Sequence, residues 1–192
     1  MKNIHKQAKL ILITGGSGSG KSAYGEEMAC KLGENGEKYY IATMQPFDEE
    51  CRKRIERHRL LRADKGFETI EQYRNIEEAV KVIKSRNNDT AVGSTTVLLE
   101  CMSNLLANEM YTSKGEKTHW AEVCDHIIDG IGKLQAVCGY LIIISNEVFS
   151  DGCDYDGETL SYICMLGEIN KRIALQAEQV YEVVCGIPIG KK

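Results

Sequence analysis

The run Gly15-Gly16-Ser17-Gly18-Ser19-Gly20-Lys21-Ser22 constrains this chain more than any other feature. It fits G-x-x-x-x-G-K-[ST], a loop that wraps phosphate between a strand and a helix. Its flanks agree. The apolar run Lys9–Thr14 precedes it, and a helical pattern over Ser22–Leu32 follows, with Tyr24, Met28 and Leu32 on one face. Glycines allow the backbone to turn its amides inward around an anion, and the first helical turn adds free N–H groups and a positive dipole end. Lys21 is placed to reach the β- and γ-phosphates of a nucleoside triphosphate, and the Ser22 hydroxyl to ligate Mg²⁺. A Gly-rich turn with no ligand would not need the strand before it and the helix after it.

A loop of this kind belongs at the carboxyl end of a buried strand, and the rest of the chain supplies the other strands. Tyr39–Thr43, Thr96–Leu99 and Tyr140–Ser145 are short β-rich runs, and Val180–Cys185 is a fifth near the C-terminus. Several are apolar at consecutive positions, as strands covered on both faces are. Helical patterns over Asp48–Arg62, Ile76–Lys84, Trp120–Val137 and Leu160–Gln179 separate them; Met110–Thr118 and Phe149–Gly157 read as loops. The alternation predicts an α/β, P-loop NTPase-like fold, a mostly parallel sheet with helices on both faces, in one domain over residues 1–192.

Composition narrows the function. The formal net charge is −4, which argues against a basic nucleic-acid-binding surface. Leu141–Ile144 and Leu10–Ile13 are too short to span a bilayer or to serve as a signal segment, so no membrane insertion and a cytoplasmic location are expected. The eight cysteines are Cys30, Cys51, Cys101, Cys124, Cys138, Cys153, Cys164 and Cys185. None are spaced C-x-x-C, so they read as small apolar residues in a reducing compartment.

In a parallel sheet the site lies beyond the carboxyl ends of the strands. Thr43, Met44 and Gln45 end one run, Glu100 the next, and Ser145, Asn146 and Glu147 a third. An acid beside a P-loop can hold the Mg²⁺ shell or accept a hydroxyl proton, and Glu100 is the better candidate because it directly ends an apolar run. A solvated strand end remains open for Glu100 and for Glu147. Within Asp48–Arg62, the residues Arg54, His58 and Arg62 are four apart and share a face. Two cations beside an imidazole disfavour its protonated form, and a neutral imidazole is a nucleophile whose target phosphate the guanidiniums could hold. Spacing alone favours the blander reading, a solvated charged helix that contains a histidine. His5, His119 and His126 lack such a setting and read as surface residues.

Taken together, these segments resemble the bifunctional adenosylcobinamide kinase / adenosylcobinamide-phosphate guanylyltransferase family of cobalamin biosynthesis. The likeness runs through the P-loop, Tyr40-Ile41-Ala42-Thr43, Arg54-Ile55-Glu56-Arg57-His58-Arg59 with Arg62, Thr69 and Glu71, Leu98-Leu99-Glu100-Cys101, Asn108, Ser145-Asn146-Glu147-Val148, Gly167, Asn170 and Ala174, and Gly186-Ile187-Pro188. The P-loop alone is unspecific; the order of the segments is selective. The resemblance implies two steps on one fold. ATP or GTP phosphorylates a corrinoid hydroxyl, that of adenosylcobinamide. GTP then gives GMP to an enzyme histidine, matched by His58, and the GMP passes to the cobinamide phosphate. It also implies nucleotide contacts from Ala42, Thr43, Met44, Arg62, Glu71 and Glu100, and a homotrimer.

The chain departs from the family pattern at Ala63, where a proline is usual, at Phe67, where a tryptophan is usual, at Phe149, and over Ser150–Tyr162, which lacks an Arg-rich stretch. Two other readings compete. One is a different P-loop small-molecule kinase using Lys21, Ser22 and Glu100, with His58 structural. The other is a nucleotide-sensing module without turnover. A protein–GMP adduct formed from α-labelled GTP separates the first from the transferase, and phosphate release with cobinamide separates the second from either enzyme.

Overall fold

The computed structural model describes residues 8–86, 92–111, 120–149 and 154–192. In chain order they form β1 (Lys9–Thr14), α1 (Lys21–Leu32), β2 (Lys38–Ala42), α2 (Glu49–Arg62), β3 (Glu68–Glu71), α3 (Ala79–Arg86), β4 (Thr96–Glu100), α4 (Met102–Met110), α5 (Trp120–Gln135), β5 (Tyr140–Ile144), α6 (Gly157–Gln176), β6 (Gln179–Val184) and β7 (Ile187–Gly190). The strands make one sheet in the order β3-β2-β4-β5-β1-β6-β7. Every neighbouring pair is parallel except β6 and β7, which form an antiparallel hairpin.

Alternate residues of each strand feed two cores. Leu10, Leu12, Ile41, Leu99 and Ile143 point to the face covered by α3 to α6, while Ile11, Ile13, Leu98, Ile142 and Ile144 point to the face covered by α1. Both sets are buried, which is why the middles of β1, β4 and β5, Leu10–Ile13, Val97–Leu99 and Leu141–Ile144, are unbroken apolar runs. The helical cover is lopsided, and α1 comes close because Gly25 faces the sheet. A Cβ there would lie 2.4 Å from Ile144 Cδ1. Tyr24, Met28 and Leu32 therefore flank the contact, partly buried, and do not form its centre; Gly25 and Ala29 do.

Three elements have no counterpart among the predicted ones. β3 is four residues long with only Ile70 buried, so it carries no apolar run. α4 starts directly behind β4 without a side-chain cap. β7 is exposed throughout and contains Pro188, tolerable on an edge strand. The last helix begins earlier than Leu160, because Asp156 caps it by accepting from the Glu158 and Thr159 amides at 2.9 and 2.8 Å. It also ends earlier, since Gln179 opens β6. The helix expected from Ile76 starts as a 3-10 turn, Ile76–Glu78, and becomes α-helical at Ala79. Met110 closes α4 and Gly157 opens α6; positions 112–118 and 150–153 of the two expected loops lie outside the described residues, as do His5, His119 and Cys153. The other seven cysteines are free thiols. Among the described residues no helix is long and apolar enough to cross a membrane.

Candidate functional site

The parallel arrangement puts the carboxyl ends of β1 to β5 on one edge. The phosphate loop leaves β1 there. Within it the Gly16 carbonyl accepts the Ser19 amide at 3.2 Å and Lys21 Nζ at 3.0 Å. Gly18 and Gly20 sit at φ 71° and 93°, the left-handed region that a side chain disfavours. The turn between β6 and β7 braces the loop from outside: the Gly186 amide donates to the Ser19 carbonyl at 2.8 Å. Lys21 is buried. Burial pulls its ammonium below the ordinary lysine value, opposed by Cys101 and Glu100.

Glu100 ends β4, with β5 lying between it and β1. The first turn of α1 bridges the gap, so that Ser22 Oγ donates to Glu100 Oε1 at 2.5 Å. The other carboxylate oxygen, Oε2, is buried with no hydrogen-bond partner among the described residues. A hydroxyl and a carboxylate oxygen with unused lone pairs, side by side at a phosphate loop, are hard oxygen donors that fit Mg²⁺.

β2 and β3 contribute unequally. Ala42 and Met44 line the cleft in front of the loop. Thr43, between them, turns into the protein and is fully buried. Its hydroxyl accepts the Cys101 amide at 2.8 Å and donates to the Cys101 carbonyl at 2.9 Å. The side chain thus ties the end of β2 to the end of β4, away from the cleft. Glu71 ends β3, faces the cleft, pairs with Arg59 and accepts from the Tyr73 hydroxyl at 2.9 Å. Glu147 does not line the cleft; its carboxylate accepts the Phe149 amide.

α2 closes the opposite wall. It is nearly all exposed, and Arg62 is its one buried residue among those described. Such a helix leans on local interactions. Asp48 caps it by accepting from the Cys51 amide at 2.7 Å, Glu49 and Glu50 sit at its positive end, and Arg59 and Arg62 at its negative end. Arg54, His58 and Arg62 all line the cleft, together with the rest of residues 52–59. The Arg62 guanidinium lies over the Tyr40 ring, 3.9 Å from its centre. The His58 ring has no hydrogen-bond partner among the described residues and is partly exposed. The whole cleft has a volume of about 910 Å³, room for a nucleotide and part of an acceptor. It also contains Arg52, Lys53 and Arg57, an excess of positive charge facing the phosphate loop.

Several contributors are assigned no role of their own by the sequence. Tyr40 reads as an ordinary strand residue. Burial first, then the negative Glu100, push its phenol far up, so it stays protonated beneath Arg62. Asn146 donates to Ser103 Oγ at 2.6 Å, holding the end of β5 to the start of α4. Asn108, buried in α4, donates to the carbonyls of Thr43 and Tyr73 at 2.8 and 2.9 Å and so fixes the two segments that border the cleft. His126, expected on the open surface, belongs to a polar cluster: Nε2 lies 3.1 Å from Asn75 Oδ1, with Glu109 and Glu77 at 3.7 and 3.8 Å.

A family model described as cobinamide kinase / cobinamide phosphate guanyltransferase matches residues 11–190. The bifunctional adenosylcobalamin biosynthesis protein CobU of Escherichia coli (strain K12) is 29% identical over 188 residues, covering 94% of this chain and 98% of that protein. Its namesake from Salmonella typhimurium is 28% identical over the same extent. Among solved structures, a KaiC-like protein from Pyrococcus horikoshii superposes with a TM-score of 0.51 at 13% identity, over 92% of this chain and 71% of that one. This last likeness concerns the P-loop fold alone.

Proposed function

The chain belongs to the cobinamide kinase / cobinamide phosphate guanyltransferase family, and from that premise we propose how its residues divide the two reactions. It is a transferase of adenosylcobalamin biosynthesis, both kinase and guanylyltransferase. In the kinase step the amides of Gly15 to Ser22 and the Lys21 ammonium hold the triphosphate of ATP or GTP, with Ala42 and Met44 against the nucleotide. The adenosylcobinamide hydroxyl attacks the γ-phosphorus as the bond to the β-phosphate oxygen breaks, and Glu100 is near enough to the loop to take the hydroxyl proton. Ser22 and Glu100 would hold Mg²⁺, which supplies positive charge to the phosphate oxygens when bound.

In the second step an unprotonated nitrogen of His58 attacks the α-phosphorus of GTP. The N–P bond forms while the bond to pyrophosphate breaks. Arg54 and Arg62 hold the phosphates in line, with Glu71 bordering the nucleotide. A phosphate oxygen of cobinamide phosphate then attacks the same phosphorus, the N–P bond breaks, and adenosylcobinamide-GDP leaves with His58 restored. The observation that carries this reading is an imidazole with no hydrogen-bond partner among the described residues, one turn from Arg54 and from Arg62, in the cleft that the phosphate loop lines. Thr43 acts indirectly, by holding β2 against β4.

We further place the reaction in the cytoplasm and assign residues 1–192 to one domain that assembles as a homotrimer. Supporting this are the free cysteines, the match along nearly the whole chain and the family resemblance. Light scattering on the purified protein, giving three chain masses or not, tests the assembly.

The test of the chemistry uses GTP labelled in the α-phosphate. Wild type forms an acid-labile protein–GMP adduct; His58→Ala forms none and makes no GDP-linked product, yet still phosphorylates cobinamide with at least a tenth of the wild-type rate. An adduct on the His58→Ala protein sends the nucleophile elsewhere.

A further inference from the structure

α2 is an arm held mainly at one end, and of the residues that hold it only Arg62 also has a part in the chemistry. Within the segment 62–67, which ends α2 and leads into β3, three side chains fasten the arm. The Arg62 guanidinium covers the Tyr40 ring, and the Phe67 ring meets the same Tyr40 edge-on with centres 6.0 Å apart. Between them Lys65 pairs with Glu26 of α1, whose side chain is 4% exposed. The Lys65 carbonyl also accepts from Cys30 Sγ, one turn further along α1, at 3.8 Å. The N-terminal three turns of α2 have no buried side chain.

The Glu26–Lys65 pair matters because of where α1 begins. Glu26 lies four residues after Ser22, so the two share one edge of α1. Ser22 binds Glu100 at the phosphate loop; Glu26 binds the joint of α2. The same rigid helix therefore fixes both the phosphates and, through Lys65, the arm that carries His58 seven positions upstream. In-line attack tolerates little displacement, and an error of about 1 Å costs on the order of a hundredfold in rate. A carboxylate so nearly buried needs its partner, and an exposed helix needs a fixed point.

We propose that Lys65, held by Glu26, is a positioning residue for guanylyl transfer: it sets His58 relative to the α-phosphate and has no part in phosphoryl transfer to the cobinamide hydroxyl. This rests on His58 being the nucleophile. Lys65 and Glu26 lie in the wall of the cleft, but the scheme gives neither a contact with nucleotide or acceptor, so loss of Lys65 acts on the rate of adduct formation and not on triphosphate binding.

The experiment compares Lys65→Met, the charge-free double variant Glu26→Gln/Lys65→Met, Lys65→Arg and His58→Ala in the full chain. The double variant removes both charges, so it folds even where Lys65→Met strands a buried carboxylate. Single-turnover adduct formation from α-labelled GTP at saturating concentration is read beside kinase kcat and KM. Expected are a ten- to fiftyfold slower adduct in Lys65→Met and the double variant, kinase constants within twofold of wild type, and at least half of the adduct rate regained in Lys65→Arg. Wild-type adduct rates, or equal losses in both reactions, overturn the positioning role while leaving His58 as nucleophile. An adduct on His58→Ala removes the nucleophile and the proposal with it.

Discussion

In Glu100→Gln the side chain keeps its shape and loses its charge. Ser22 can still donate to the amide oxygen from its present 2.5 Å. What is lost there is the difference between a charged and a neutral hydrogen bond, about 1 kcal/mol. Against this stands Glu100 Oε2, buried with no hydrogen-bond partner among the described residues. As a carboxylate oxygen it carries a desolvation cost of about 1–3 kcal/mol, part of which the amide relieves. The two effects nearly offset, and at about 2–4 °C per kcal/mol for a chain of this size the thermal midpoint stays within about 4 °C of wild type. Turnover behaves otherwise. The amide nitrogen presents two donors where the carboxylate presented lone pairs, so it can neither ligate a cation nor take a proton. Loss of one preorganised charged group costs about 2.7–4 kcal/mol, a hundred- to thousandfold in kcat. The assay is a Mg²⁺ titration of phosphoryl transfer with thermal unfolding on the same preparation. Wild-type kcat with unchanged Mg²⁺ dependence refutes the metal assignment; a midpoint lowered well beyond 4 °C with a matching loss of activity makes Glu100 a structural residue.

Lys21→Ala removes the ammonium that the loop holds over the Gly16 carbonyl; triphosphate turnover falls about a thousandfold or more while the unfolding midpoint moves little, and near wild-type turnover contradicts the loop's role. Gly20→Ala puts a Cβ on a residue at φ 93°, 3.2 Å from Gly186 Cα. It costs about 1–2 kcal/mol in denaturant unfolding and raises KM for the triphosphate in both reactions. Stability also falls at high pH. Burial pushes the Cys138 thiol up to about 12 from 9.0, and burial with Cys101 pushes the Tyr162 phenol to about 12 from 10.0. Both folded values lie above the unfolded ones, so the contribution is complete below about pH 9 and is lost on rising toward pH 12. Thermal midpoints measured across that window show the decline, and Cys138→Ala flattens it.

Some features were legible because their causes are local. The phosphate loop needs glycine at left-handed positions and a lysine at a fixed offset, all within eight residues. β1, β4 and β5 are buried on both faces, so their burial is written as unbroken apolar runs. Arg54, His58 and Arg62 share a helix face because they are four apart, though only the placement of α2 sets them against the cleft. The order of segments marked the family, a pattern spread over the chain that survives the local departures at Ala63 and Phe149.

Tertiary structure decided the rest. Whether Glu100 was a solvated strand end depended on α1 reaching across β5 to set Ser22 against it, a contact between residues 78 apart. Thr43 looked like a cleft residue from its place after β2, but β4 lay beside it and Cys101 took its hydroxyl. β3 and β7 sit at the sheet edges, where strands exposed in part or throughout need no apolar pattern, so their sequences say little. Tyr40 under Arg62, and Glu26 against Lys65, are pairings of side chains that are individually unremarkable. Backbone conformation and burial are properties of a residue and its near neighbours, and composition and spacing record them. Which distant side chain arrives beside another follows from strand order and helix placement, and those are set by the packing of the whole chain at once.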